Sequence, residues 1–134
     1  MREYIRSENG SASVEFIALA LPLFIPIVIF LQQFSSASAE ENFARTLARE
    51  GARAYVSSSS EESAEEMMRK VIFAGGVKLG LNSQQTNRMG ISLRCSSTPC
   101  RKPNEKVEVT VSFKAISHFR SVSASAQEYF SPWI

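Results

Sequence analysis

The chain begins with a short polar segment and then holds a long stretch without a charged side chain. No residue from Phe16 to Ala39 is charged, and residues 16–31 are apolar throughout apart from two prolines. A helix needs roughly 20 such residues to cross about 30 Å of hydrocarbon. With the uncharged residues that follow, the stretch predicts a transmembrane helix over residues 11–34. The alternative is a buried core helix, but so small a domain could not enclose a helix that is apolar on every side.

Two prolines, Pro22 and Pro26, lie within the predicted transmembrane helix. Each proline removes a backbone donor and kinks or loosens a helix. Because the two are four residues apart, they lie on nearly the same face and would bend the helix in one sense. Membrane helices tolerate proline where neighbouring helices or local adjustments satisfy the freed carbonyl groups. The pattern therefore predicts a bent helix that packs among others.

After the uncharged stretch, the pattern becomes that of an amphipathic helix over residues 35–56. Small and apolar residues recur with helical spacing on a surface that is otherwise charged. These positions are Phe43, Leu47, Gly51, Ala54 and Tyr55. The sequence therefore predicts one long helix, first apolar and then amphipathic, that ends in a run of four serines.

A second helix is predicted after the serines. Ser59 or Ser60 can cap it, and Ser59 with Glu62 has the spacing of a capping box. Gly75 and Gly76 can end it. Its apolar face, suited to packing on a sheet or on the first helix, consists of Ala64, Met67, Met68, Val71 and Ile72. Residues 77–89 are predicted to form a loop that contains some helical turn.

The last third of the chain alternates between apolar and polar residues with the period of half-buried strands. The apolar positions are Ile91, Leu93 and Cys95, then Val107, Val109, Val111 and Phe113, and then Val122, Ala124, Ala126 and Tyr129. The predicted fold class is therefore α+β. It has a long N-terminal helix, a second helix and a small antiparallel β-sheet of two or three strands, with residues 60–134 forming a small domain.

The chain has two cysteines, Cys95 and Cys100, at the end of the first predicted hairpin. A pair this close in a chain that enters a membrane predicts a disulfide formed outside the cytosol. In the chain-entropy model so short a loop stabilises the fold by roughly 2 kcal/mol. Two free thiols or half of a metal site are the alternatives, but the single histidine, His118, does not complete a ligand set.

Composition and charge narrow the classes of function. The formal net charge of the 134-residue chain is +2, and its basic residues form no stripe that would neutralise phosphates. We therefore expect no nucleic-acid partner. The sequence contains no Ser, His and acid set, no phosphate-binding glycine loop and no zinc-protease motif. We expect a protein that is not an enzyme and that needs no cofactor or metal, with His118 as a surface or core residue.

Glu15 is an acidic residue directly before the apolar segment, at its N-terminal edge. A carboxylate beside hydrocarbon is costly unless it has a partner, so its position is a functional hypothesis. The alternative is an acid that the dipole at the helix N-terminus favours. The segment before the apolar run resembles the class III signal of type IV pilins: a glycine, Gly10, is followed by four residues and then by Glu15-Phe16. This resemblance implies a leader of residues 1–10, cleavage by a prepilin peptidase between Gly10 and Ser11, and pairing of Glu15 with the new N-terminus of a neighbouring subunit.

The residue sequence of the motif is closer to that of one branch of this family. The opening Gly10-Ser-Ala-Ser-Val-Glu-Phe-Ile-Ala-Leu-Ala-Leu-Pro-Leu resembles that of TadE-like proteins, the minor pseudopilins of tight-adherence (Tad) pili, and Pro22-Leu23 fits. It departs from most type IV pilins, which have Phe where Ser11 stands. The resemblance implies a role in pilus biogenesis and surface adhesion. Its implied partners are a prepilin peptidase, other pilin and pseudopilin subunits, the pilus assembly platform and membrane lipid.

Two other functions fit the same segment. One is an uncleaved, single-pass anchor that carries an extracytoplasmic binding module and is never assembled. The other is a secreted protein that is cut near Ala39, after the small residues 35–39. The favoured location is the inner or plasma membrane, with the N-terminus cytoplasmic and the C-terminal domain outside. From there an assembled subunit would enter the extracellular pilus.

Overall fold

The computed structural model describes residues 11–115 and 120–133. The predicted leader, which ends at Gly10, and the residue His118 lie outside the described residues. The elements are α1 (Ser11–Ser57), α2 (Glu61–Lys78), α3 (Ser83–Asn87), β1 (Gly90–Cys95), β2 (Lys106–Lys114) and β3 (Ser121–Tyr129). The predicted α+β class is confirmed. The chain divides into two compact units between Ser36 and Ala37, inside α1.

The first unit contains the apolar part of α1. Both Pro22 and Pro26 lie inside this helix. An 18-residue window of α1 has a mean hydropathy of 2.6, and none of the window is buried. Among the described residues, α1 is the one helix that is long and apolar enough to cross a membrane. It is therefore a candidate membrane anchor, and the bend expected at the prolines stays a prediction.

The second unit is built on a three-stranded antiparallel sheet with the order β1-β2-β3. β2 is central, and alternate side chains on one face of it are fully or almost fully buried. These are Val107, Val109, Val111 and Phe113. The predicted alternation is confirmed in all three strands, except that Tyr129 is exposed on the opposite face. The next residue, Phe130, is buried in its place because the chain leaves the strand there.

The amphipathic part of α1 and one face of α2 complete the core of the second unit. Leu47, Gly51 and Tyr55 are buried, as the helical spacing predicts. Alanines beside this stripe widen it, and the buried ones are Ala44, Ala48 and Ala52. On α2 the buried residues are Ala64, Met68, Ile72 and Gly76. The prediction for Met67 is wrong: its side chain is 49% exposed, because the buried face of α2 is only one residue wide at that turn.

The ends of α2 differ from the prediction by a few residues. Its N-cap is Ser60, whose side-chain oxygen accepts a hydrogen bond from the Ser63 amide. The Ser63 side-chain oxygen in turn accepts a hydrogen bond from the Ser60 amide. The capping box is therefore formed by Ser60 and Ser63, and the prediction of a box between Ser59 and Glu62 is wrong. The helix also continues past Gly75 and Gly76 to Lys78. From the last turns of α2, Gly75 packs closely against Leu47 of α1, and Gly76 packs against Met89. The reversal comes later, at Gly80, whose φ of +91° suits a residue without a side chain.

The segment between α2 and β1 contains the short helix α3. Asn82 caps it by accepting a hydrogen bond from the Gln85 amide at 2.8 Å. Gln85 is buried, and its Nε2 donates to the carbonyl oxygen of Lys114 at 2.9 Å. A buried amide side chain needs such a partner. The predicted loop with some helical turn therefore holds a defined turn of helix that is anchored to β2.

Candidate functional site: the N-terminal helix and its domain

Glu15 is an exposed carboxylate in the second turn of the described helix. It is the fifth residue of α1, and within the described chain it makes no hydrogen bond or ion pair. The dipole of a helix acts mainly in its first turn, and no acid lies in the first described turn of α1. Phe16, the next residue, is 72% exposed. The carboxylate is thus available to a partner from another chain.

The apolar surface of this part of α1 is continuous around the helix. Every large apolar side chain from Val14 to Phe34 is between 47% and 74% exposed. Exposing so large an apolar surface to water is energetically unfavourable. We therefore expect lipid or other apolar helices to cover it. Small residues interrupt the surface near its start, at Ala12, Ser13, Ala18 and Ala20. In membranes such residues let helix backbones approach closely.

Charged residues on the exposed flank of α1 pair along the helix and across to the sheet. Arg45 lies 3.5 Å from Glu41, and Arg53 lies 3.5 Å from Glu50. The Nε of Arg53 also lies 3.4 Å from the carboxylate of Glu128 on β3. Exposed pairs of this kind contribute about 0.2–1 kcal/mol each. Arg53 therefore connects α1 to the third strand, though weakly.

An aromatic cluster closes the end of the core near the C-terminus of α1. The buried rings of Tyr55 and Phe130 meet edge to face, with 6.2 Å between their centroids. The guanidinium of Arg101 lies over the Phe130 ring at 5.4 Å. Burial raises the pKa of Tyr55, the nearby carboxylates of Glu61 and Glu65 raise it further, and Arg101 opposes them. The helical stripe of α1 predicts that Tyr55 is buried, but its contact with Phe130 and the position of Arg101 over that ring are not predicted from the sequence.

The two cysteines meet at the end of the β1–β2 hairpin. Cys95 and Cys100 form a disulfide with 5.3 Å between their α-carbons, and no cysteine is free. The predicted disulfide is confirmed, and the free-thiol and half-metal-site alternatives are not. The bridge closes the loop that leads to Arg101, so it holds the segment from which this guanidinium reaches Phe130.

Comparison with protein families finds a match to the N-terminal part of the chain. The model of the TadE-like protein family matches residues 10–53, about a third of the chain. This range contains Gly10, Ser11, Glu15 and Phe16 together with both prolines, and it ends within α1. No curated protein and no solved structure matches the chain. Residues 10–53 are therefore similar to the TadE-like protein family, as the opening motif predicts.

Proposed function

We propose that the chain is a minor pseudopilin that acts in the biogenesis of Tad pili. A prepilin peptidase cuts it between Gly10 and Ser11 on the cytoplasmic side of the membrane. The processed subunit is anchored by α1, with its C-terminal unit outside, until it joins other pilin and pseudopilin subunits through the N-terminal helix. The single observation that carries the proposal is Glu15, exposed at the start of an exposed apolar helix and at a fixed offset from Gly10.

The proposed pairing follows from the chemistry of cleavage. Cutting after Gly10 would create an α-amino group at Ser11. A carboxylate slightly more than one helical turn away can pair with that group in a neighbouring subunit when the helices are staggered. At a membrane edge an isolated carboxylate is costly, and an ion pair offsets part of that cost. The described chain offers Glu15 no such partner.

The proposed role is structural and requires no catalysis, cofactor or nucleic acid. It needs an apolar helix that fits both lipid and a helical bundle, small residues that permit close packing, and a stable exported domain. The exposed part of α1 offers the first two features. The disulfide-bonded second unit supports the third, since such bonds form and persist outside the cytosol. Surface adhesion through the assembled pilus completes the proposal.

The processing step is tested by the N-terminal residue of the full chain purified from membranes of cells that contain the peptidase. Ser11 supports the pseudopilin, Met1 indicates an uncleaved anchor with a binding module, and a start near Glu40 indicates a secreted protein. Gly10→Val should preserve Met1, whereas Asn9→Ala, a neighbouring control, should still yield Ser11. A Gly10→Val chain with the same N-terminus and gel mobility as the parent would contradict the cleavage.

The assembly step is tested by Glu15→Gln, which keeps the shape of the side chain and removes its charge. We expect cleavage to be retained and the subunit to be lost from the sheared pilus fraction while it stays in the membrane fraction. Glu62→Gln is the matched control, because Glu62 is an exposed carboxylate of α2. Equal recovery of both variants in the pilus fraction would contradict a role for the Glu15 charge in assembly.

A further inference from the structure

The third strand leaves one long edge of the sheet open. β3 lies at the edge of the sheet, and nine consecutive residues pair with β2 without a bulge. Edge strands are usually protected by charged side chains, especially lysine, by proline, by bulges or by shortness. The one charged residue of β3, Glu128, lies near the end of the strand. Between Ser121 and Tyr129 there is no lysine and no proline. The opposite edge, β1, has only six residues and carries Arg94. In the part of the chain that the structure describes, nothing pairs with the outer side of β3.

The direction of the free backbone groups follows from the hydrogen bonds at the two ends of β3. The Phe130 amide donates to Glu105 at 2.9 Å, and the Arg120 carbonyl accepts from Ala115 at 3.0 Å. Residues of an antiparallel strand alternately direct both backbone groups to one side and then to the other. The even-numbered residues therefore face β2. The odd-numbered residues Ser123, Ser125 and Gln127 present their N–H and C=O groups to the open edge.

A groove of about 330 Å³ runs along this edge, inside the second unit. One wall is β3 from residue 123 to residue 128, and the other is the exposed flank of α1 with Glu41, Arg45 and Arg49. Arg45 is within 3.5 Å of Glu41. Arg49 is exposed and has no hydrogen bond or ion pair with any described residue. The groove thus combines unpaired strand backbone with one cation, Arg49, that has no partner among the described residues.

We propose that this groove binds an extended segment of another protein, which adds a fourth strand beside β3 and directs a carboxylate at Arg49. Backbone hydrogen bonds to Ser123, Ser125 and Gln127 would supply affinity, as in other cases of strand addition. Side chains on the inner face of the added strand would lie under the flank of α1. An Asp or Glu there meets the free guanidinium, which donates two parallel hydrogen bonds to a carboxylate.

A second copy of the chain fits the groove less well. If β3 of another copy were the added strand, its inner side chains at the centre would be Ala124 and Ala126, which carry no charge. The one acid in the strand, Glu128, is already 3.4 Å from Arg53. Self-pairing would therefore satisfy the backbone and leave Arg49 without a partner. The inference does not depend on whether the leader is cleaved, because all the groove residues lie beyond Ala37.

The test uses the full chain in detergent micelles and a fluorescent nine-residue peptide of alternating valine and threonine. One peptide has glutamate in place of its central valine, a second has glutamine there, and a third is the glutamate peptide with alternate amides methylated. We expect the glutamate peptide to bind, the glutamine peptide to bind about fivefold more weakly, and the methylated peptide not to bind. Arg49→Gln should abolish the difference between the first two. Arg69→Gln on α2 is the control and should preserve it.

Substitutions in β3 test the backbone part of the inference. Ser125→Pro removes one outward amide at an edge position, where proline is tolerated in a sheet, and should weaken the glutamate peptide more than tenfold. Ser125→Ala keeps the amide and should bind normally. Equal binding of the glutamate and glutamine peptides would overturn the inference, as would failure of both to bind. A dimer of the full chain that Ser125→Pro converts to a monomer would assign the edge to a second copy and also overturn it.

Discussion

Gly51 of α1 lies directly against Ile72 of α2. A β-carbon built on Gly51 would come within 2.6 Å of the Cδ1 atom of Ile72 and within 2.8 Å of its Cγ1 atom. Real β-carbons do not approach other atoms so closely, and Ile72 is fully buried. Gly75 approaches Leu47 in the same way from the other helix, at 2.7 Å. Glycine at these two positions sets the separation of the helices.

Gly51→Ala should therefore destabilise the second unit. Alanine favours a helix by about 0.5–1 kcal/mol over glycine, whereas overpacking a core costs about 1–3 kcal/mol. We expect a net loss of about 1 kcal/mol in the free energy of unfolding. It can be measured by pulse proteolysis of the full chain in micelles across a urea series. Thr46→Ala, on the exposed side of α1, is the control and should not destabilise.

A double mutant separates overpacking from other causes. Ile72→Ala removes both atoms that Gly51→Ala would meet, so the glycine substitution should cost less in that background than alone. The coupling between the two changes should be at least about 0.5 kcal/mol. If the two losses simply add, the close contact is not the reason for the glycine.

The cap of α2 gives a second prediction. The Ser63 amide donates to Ser60 Oγ at 3.3 Å, and the Ser60 amide donates to Ser63 Oγ at 3.2 Å. Ser60→Ala should lower the free energy of unfolding by about 1 kcal/mol, because it leaves a helix N-terminal amide without its acceptor. Ser59→Ala is the matched control, and we expect a change within about 0.5 kcal/mol. The same urea series measures both, and a larger loss for Ser59→Ala would show that the cap is misplaced.

Tyr55 gives a prediction on pH dependence. Its pKa is raised, first by burial and then by Glu61 and Glu65, so the folded chain prefers the neutral phenol. The stabilisation is complete below the pKa of the unfolded chain, about 10, and it declines as the pH rises through that value to the folded pKa. The urea midpoint should fall above pH about 10, and Tyr55→Phe should fall less. An equal decline in both proteins would show that other groups cause the alkaline loss.

The disulfide gives a prediction on stability and on compartment. Replacing Cys95 and Cys100 together by serine should lower the free energy of unfolding by about 2 kcal/mol, because the unfolded chain regains the freedom of a short loop. Adding a reductant to the parent should cause a similar loss. In cells, a maleimide reagent should label the parent only after reduction. Labelling without reductant would contradict an oxidising location for the second unit.

Local periods explain how much of this molecule could be predicted from its sequence. The uncharged run predicts the apolar part of α1, which the structure leaves exposed on all sides. The helical stripe through Leu47 and Tyr55 and the alternation through Val109 each predict an element and its buried face, and the structure agrees with both. The nearby cysteines were paired on the same local grounds. The Gly10 and Glu15 motif indicated the family without any help from the fold.

The wrong predictions concern residues that could play either of two structural roles. Ser59 and Ser60 both fit a cap, and only the path of the chain into the helix selects Ser60. Glycine is common at helix ends, but Gly75 and Gly76 lie inside α2. There Gly75 permits a close contact with Leu47 of α1, and Gly76 permits one with Met89. The groove beside β3 could not be predicted, because Arg49 reaches that edge only through tertiary packing.

The boundary inside α1 has a practical consequence for producing the second unit as a separate fragment. A fragment that starts at residue 60, where the polar serine run ends, would lack Leu47, Gly51 and Tyr55. The inner face of the sheet would then be exposed to water, and we expect such a fragment to aggregate. A fragment that starts at Ala37 retains the amphipathic part of α1 and omits the apolar part, so it is the rational choice for crystallisation.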